Sequence, residues 1–118
     1  MYDLMARTKS ILLGSPPYDV ERSLARLGQN LRTARLLRNI TIEEVAAKIG
    51  TGTRSVMQAE RGHPGTAVAV YAALLWVYGL LEPLDELADP QRDRVGLAAA
   101  ARRQRARKSV DRVLSDDF

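Results

Sequence analysis

Apolar positions recur at three- and four-residue steps through most of the chain, and between residues 19 and 90 nothing alternates with the two-residue rhythm of a strand. Leu24, Leu27, Leu31 and Ala34 share one stripe, with Arg22, Arg26, Arg32 and Arg35 between them, which predicts an amphipathic helix over about 20–38. Pro16-Pro17 closes an N-terminal arm, residues 1–18, which is expected to be loose. Asp19 is placed to cap the helix that follows, and Asn39 sits at its end, where a left-handed residue is usual. Thr41-Ile42-Glu43-Glu44 has the form of a capping box. In such a box the Thr hydroxyl accepts from an N–H three residues on, and the Glu carboxylate reaches back to the Thr N–H. A second helix then runs to Ile49 and turns Val45, Ala46 and Ile49 inward. Gly50-Thr51-Gly52 breaks the chain sharply.

A third helix, 53–60, has Val56 and Ala59 on its apolar side, and Arg61-Gly62-His63-Pro64-Gly65 is a loop. A fourth helix starts near Thr66 or Ala67 and reaches Tyr78, with Val70, Tyr71, Leu74, Leu75 and Tyr78 as its inward candidates. Gly79 ends it, and Leu80, Leu81, Leu84 and Leu87 predict a short fifth helix closed by Asp89-Pro90. The reading is an all-α domain over 19–90. Residues 91–118 form a basic C-terminal tail with helical potential from about 92 to 114, little to bury, and order that depends on a partner or a second copy.

Composition narrows the chemistry. The 118 residues suit one domain, and they include one His and no Cys. Thiol catalysis, disulfides and Cys-based zinc sites are excluded, and a multi-His metal centre or a His-based triad nearly so. The paired acids Glu43/Glu44 and Asp116/Asp117 are neighbours in sequence, so in a helix they diverge by about 100° and make no acid–base pair. No enzymatic activity, cofactor or metal is expected. The longest uncharged apolar run, residues 67–81, is too short to span a membrane. Ile11-Leu12-Leu13 is too short for a signal-peptide core, so a cytoplasmic, nucleoid-associated location is expected.

The net charge of +4 conceals segregation: residues 19–62 carry +3, residues 63–90 carry −4 without a single Lys or Arg, and residues 91–118 carry +4. Different surfaces are therefore expected to face different partners. The two short helices about the glycine turn have helix-turn-helix dimensions. The second of them presents Thr53, Arg54, Ser55 and Gln58 near its N-terminus. Arg and Gln make bidentate contacts to guanine and adenine edges, and a helix N-terminus favours phosphate.

The run Leu27-Gly28, Leu31-Arg32, Arg35, Ile40-Thr41-Ile42-Glu43-Glu44-Val45-Ala46, Gly50, Ser55-Val56 and Glu60-Arg61-Gly62 resembles the lambda-repressor-like (Xre/Cro) helix-turn-helix family over about residues 24–80. The resemblance implies five helices, the third in the DNA major groove, and a homodimer on a two-fold operator. By that resemblance Thr53, Arg54 and Gln58 fall at base-reading positions, Thr51 and Arg61 at phosphate-contacting ones, and Arg35 and Glu60 at a structural ion pair. Two positions depart from the family. Ile42 stands where Gln usually contacts the DNA backbone. Gly52 replaces the hydroxyl before the recognition helix, which leaves Thr51 or Thr53 to cap it.

Residues 75–81 and 87–97 resemble the end of HipB-type antitoxins and regulators encoded beside HipA-like kinases. The implied function is a DNA-binding repressor that is also the antitoxin and autoregulator of such an operon. One alternative is a protein-interaction module that holds a kinase-like toxin inactive, with DNA binding secondary, and another is a stand-alone regulator with no toxin. Arg102, Arg103, Arg105, Arg107 and Lys108 serve as phosphate contacts, as a toxin-docking segment or as a solubilising tail, with Arg102, Arg103 and Arg105 taken as phosphate contacts. His63 is read as a loop residue near the DNA backbone. Trp76 packs with Tyr71 and Tyr78 in the core or a dimer contact. Ser115-Asp116-Asp117-Phe118 is a frayed end or a short anchor for a partner pocket.

Overall fold

The computed structural model describes residues 10–116, and the terminal pair Asp117-Phe118 of the suggested anchor lies outside them. The regular structure of those residues is all helical, with no strand among them, and the chain divides into two compact units, Met1–Leu81 and Glu82–Phe118. The boundary follows Leu81, ahead of the expected one after Pro90.

The first unit contains α1 (Ile11–Gly14), α2 (Tyr18–Leu37), α3 (Ile42–Ile49), α4 (Thr53–Glu60) and α5 (Val68–Val77). α1 is a single turn inside the segment read as a loose arm. It forms because the Ser10 hydroxyl accepts from the Leu13 N–H at 3.1 Å, and none of its residues is buried. α2 starts two residues before the expected helix start at Val20. Pro17 takes the cap position with extended geometry and no side-chain bond, and the first turn instead receives Asp19 and Glu21, whose charges favour the positive end of the helix. Asn39 is left-handed, at φ 53°, and ends α2. Thr41 caps α3 as its Oγ1 accepts from the Glu44 N–H at 3.1 Å. The return half of the box differs from expectation: the Glu44 carboxylate accepts from the Thr41 hydroxyl, also at 3.1 Å, rather than from the Thr41 backbone.

Leu31 and Ala34 of α2, Val45 and Ala46 of α3, Val56 and Ala59 of α4, and Tyr71 and Leu74 of α5, with Tyr78 just beyond it, form one buried cluster. Ile49, Val70 and Leu75, expected inside, are half-buried against it. α3, α4 and α5, at eight to ten residues, are too short to persist alone and are held by the two residues each contributes to that cluster.

The second unit has two single-turn 3-10 segments, Glu82–Glu86 and Pro90–Arg92, followed by α6 (Arg94–Asp116). The expected fifth α-helix is thus only a 3-10 turn. Leu87 is exposed, so no burial draws the segment into a longer helix, and a left-handed Ala88 at φ 59° turns the chain away. The tail is helical from Arg94, and no residue between 94 and 115 is buried.

Candidate nucleic-acid interface

α3 and α4 are joined by Gly50-Thr51-Gly52. Gly50 is left-handed, at φ 77°, and its N–H returns to the carbonyls of Ala46 and Ala47. A side chain at that backbone angle is strained, which is why glycine ends α3. Gly52 occupies the cap position of α4 with no side-chain bond, so neither Thr51 nor Thr53 caps the helix as expected. Its amino-terminal N–H groups are left without a side-chain acceptor at that end.

Three contacts from α2 and its C-terminal turn fix the far end of α4. Arg35, only 8% exposed, donates from Nε to Glu60 Oε2 at 2.7 Å and from Nη2 to Glu60 Oε1 at 3.1 Å. Its Nη1 donates to the Ile40 carbonyl at 3.0 Å, so one guanidinium ties α4 to α2 and to the turn after α2. The bond to Glu60 raises the Arg35 pKa, and burial opposes that rise. Gly28 provides the second contact: a Cβ there would lie 2.6 Å from the Ala59 carbonyl oxygen. Gly62 provides the third. It is left-handed, at φ 70°, and a Cβ on it would run into the Leu24 backbone. The loop after α4 is closed by the His63 N–H donating to the Gln58 carbonyl at 3.0 Å and by Tyr71 Oη donating to the His63 carbonyl at 2.9 Å. The His63 ring is exposed, and its Nδ1 accepts from the Gly65 N–H at 2.9 Å.

α4 buries Val56 and Ala59 on one side, so the opposite arc carries Arg54, Met57, Gln58 and Arg61 at helical spacing. Arg54 and Arg61 are exposed and Gln58 is half-buried. Thr53 and Ser55 flank this arc on opposite sides, about 160° apart, so the four expected base-reading residues do not share one side. Thr53 is exposed, and Ser55 and Thr51 are half-buried. Met57 is the member of this arc that residue type alone does not suggest. It is 41% exposed between Arg54 and Arg61, and with Arg32, Ile42 and Glu60 it lines a shallow groove beside α4. The signal for it is present in the sequence, since Met57 lies three residues from Arg54 and four from Arg61.

Arg38 lies over the Tyr78 ring at 5.4 Å and donates to the Tyr78 carbonyl at 2.9 Å, which pins the end of α5. Tyr71 and Tyr78 are core residues, but Trp76 is 63% exposed and separate from them. In α6, Arg102 and Arg105 lie on one face, whereas Arg103 stands about 160° around the axis from Arg105. Among the described residues no helix is long and apolar enough to cross a membrane. No family model matches the chain, and neither a curated protein nor a solved structure matches it.

Proposed function

We propose that this protein is a sequence-specific DNA-binding repressor, acting as a homodimer on a two-fold operator, with α3 and α4 as its helix-turn-helix. The observation that carries the reading is the rigid mounting of α4. A bidentate buried ion pair and two glycine contacts hold one end, while Arg54, Met57, Gln58 and Arg61 stand away from the core. A base-reading helix needs that combination, because hydrogen bonds to base edges tolerate little angular play. Arg54 and Gln58 then read base edges with Thr53 and Ser55 beside them, Met57 meets a thymine methyl, and Thr51 and Arg61 hold phosphate. Ile42, half-buried at the first position of α3, gives the DNA backbone no hydrogen bond.

Val68 and Trp76, exposed on one face of α5 with the half-buried Ala72 between them, form an uncharged apolar strip that suits a self-complementary homodimer contact. The exposed stretch of α6 from Arg102 to Ser115 favours a second role, neutralising a HipA-like kinase toxin, for which the resemblance of residues 75–97 speaks. The test is selection from a randomised duplex library. The wild type is expected to enrich a two-fold site, and Arg54→Ala/Gln58→Ala to lose at least about tenfold in affinity for it, at roughly 1–3 kcal/mol per bidentate contact. Failure to enrich any sequence overturns the repressor reading. Co-purification with the neighbouring gene product tests the toxin.

A further inference from the structure

We infer that α6 is a second, sequence-independent contact to duplex nucleic acid, made by one face of the helix and independent of whether α4 reads bases. At 100° per residue, Arg94, Arg102, Arg105, Lys108 and Arg112 fall within an arc of about 120°. All five are exposed, and none makes an ion pair among the described residues. α6 holds two acids: Asp111 lies outside this arc, and Asp116, at the C-terminal end of the helix and four residues after Arg112, falls within it. Arg103 and Arg107 stand on the far side of the helix. From Arg94 to Arg112 the helix rises about 27 Å. A duplex of that length carries about 16 phosphates over both strands, and those on the side facing the helix are available to the five cations of the arc.

Cations in line repel one another, and a dense polyanion relieves them together. An anionic membrane is the other surface of that kind. A helix lying in a lipid interface buries Trp, Phe or Leu on its apolar side. The apolar side here consists of Val95, Ala99, Ala106, Val110, Val113 and Leu114, has no aromatic residue and is interrupted by Arg103, so it makes a poor wedge for lipid. The chemistry therefore favours nucleic acid.

The experiment uses the full chain and a random-sequence duplex, with affinity measured by fluorescence anisotropy across a range of salt concentrations. Replacing Arg102, Arg105, Lys108 and Arg112 by Gln keeps good helix formers in place, and unchanged circular dichroism at 222 nm verifies that the helix survives. The magnitude of the slope of log affinity against log salt is expected to fall by about 3–4, near 0.9 for each phosphate that is no longer neutralised. The opposite-face pair Arg103→Gln/Arg107→Gln is expected to change it by less than about 1. Arg102→Lys/Arg105→Lys/Arg112→Lys keeps the charges and should keep the slope. An unchanged slope in the Gln variant, or an equal drop in the opposite-face pair, overturns the inference. So does capture of the wild type by phosphatidylserine vesicles without binding to the duplex. Arg54→Ala/Gln58→Ala should lose discrimination between sequences and retain the slope on random DNA, which separates failure of this contact from failure of base reading.

Discussion

α4 and α6 are opposite solutions to the problem of presenting a helix. α4 has eight residues, too few to hold a helix alone, and is kept by two buried side chains, an ion pair and two glycine contacts. α6 has 23 residues and no buried position between 94 and 115, and its helicity comes from Ala98–Ala101 and the Arg, Lys and Gln residues after them. One surface is fixed by what lies beneath it. The other is fixed only by its own backbone. Orientation can therefore be specified in α4, as the base readout proposed for it would demand, while α6 can offer charge along a line but no defined angle. Damage to the core should reach α4 in full and leave α6 helical, and changes in α6 should stay local.

The largest expected effect comes from breaking the Arg35–Glu60 pair. The two side chains are 9% and 6% exposed, so Glu60→Ala strands a buried guanidinium. A loss of about 3–5 kcal/mol is expected in urea unfolding, most of the stability of a domain this size. Arg35→Met/Glu60→Leu should recover most of it, because a buried pair replaced by apolar groups loses its desolvation penalty as well as its attraction. A loss from Glu60→Ala below about 1 kcal/mol would put the pair in the class of surface ion pairs and remove the main support for a rigid α4.

Next in size is Gly28→Ala. The added Cβ would meet the Ala59 carbonyl and the Gly62 amide, both backbone atoms that cannot swing aside. About 1–3 kcal/mol of overpacking strain is expected, accompanied by weaker DNA binding as α4 shifts. Equal stability with lowered DNA affinity would be equally informative, since it would mean that the helix tilts without unfolding.

Ala99→Gly/Ala106→Gly probes the other side of the comparison. Each glycine costs a helix about 1 kcal/mol relative to alanine, and α6 has no packing to offset the loss. The expected outcome is lower helicity at 222 nm with the main unfolding midpoint of the first unit unchanged. A parallel drop in that midpoint would mean that α6 supports the core, contrary to its exposed surface.

The same contrast explains what is legible in the sequence. The ends of α3 and α4 can be placed because Thr41, Gly50 and Gly62 act through local backbone geometry. The start of α2 differs from expectation by two residues, since Pro17 supplies a cap conformation with no side-chain bond to announce it. The return arm of the Thr41–Glu44 box differs because a carboxylate and a hydroxyl three residues apart have two ways to bond, and residue type does not choose between them. The fifth helix fails because leucine spacing reports potential burial, and Leu87 has nothing to pack against. Met57 escapes a reading by residue type because an apolar side chain points to the core until the arc it occupies is worked out.

The smallest expected effect separates the core's shape from its hydrogen bonds. Tyr78 Oη is buried and has no hydrogen-bond partner among the described residues. Tyr78→Phe therefore removes an unsatisfied polar atom and keeps the ring under Arg38, so stability should change by less than about 1 kcal/mol, toward stabilisation. Burial raises the pKa of Tyr78, and of Tyr71, above the usual 10.0. The folded state thus holds the phenol proton more tightly than the unfolded chain, so this contribution is complete below pH 10 and is lost as pH climbs through the folded pKa. In urea titrations the wild type should lose stability above pH 10, and Tyr78→Phe should flatten that decline while Tyr71 maintains the remainder. A variant that declined as steeply as the wild type would show that Tyr78 has an outlet to solvent, and that the end of α5 is looser than the mounting of α4.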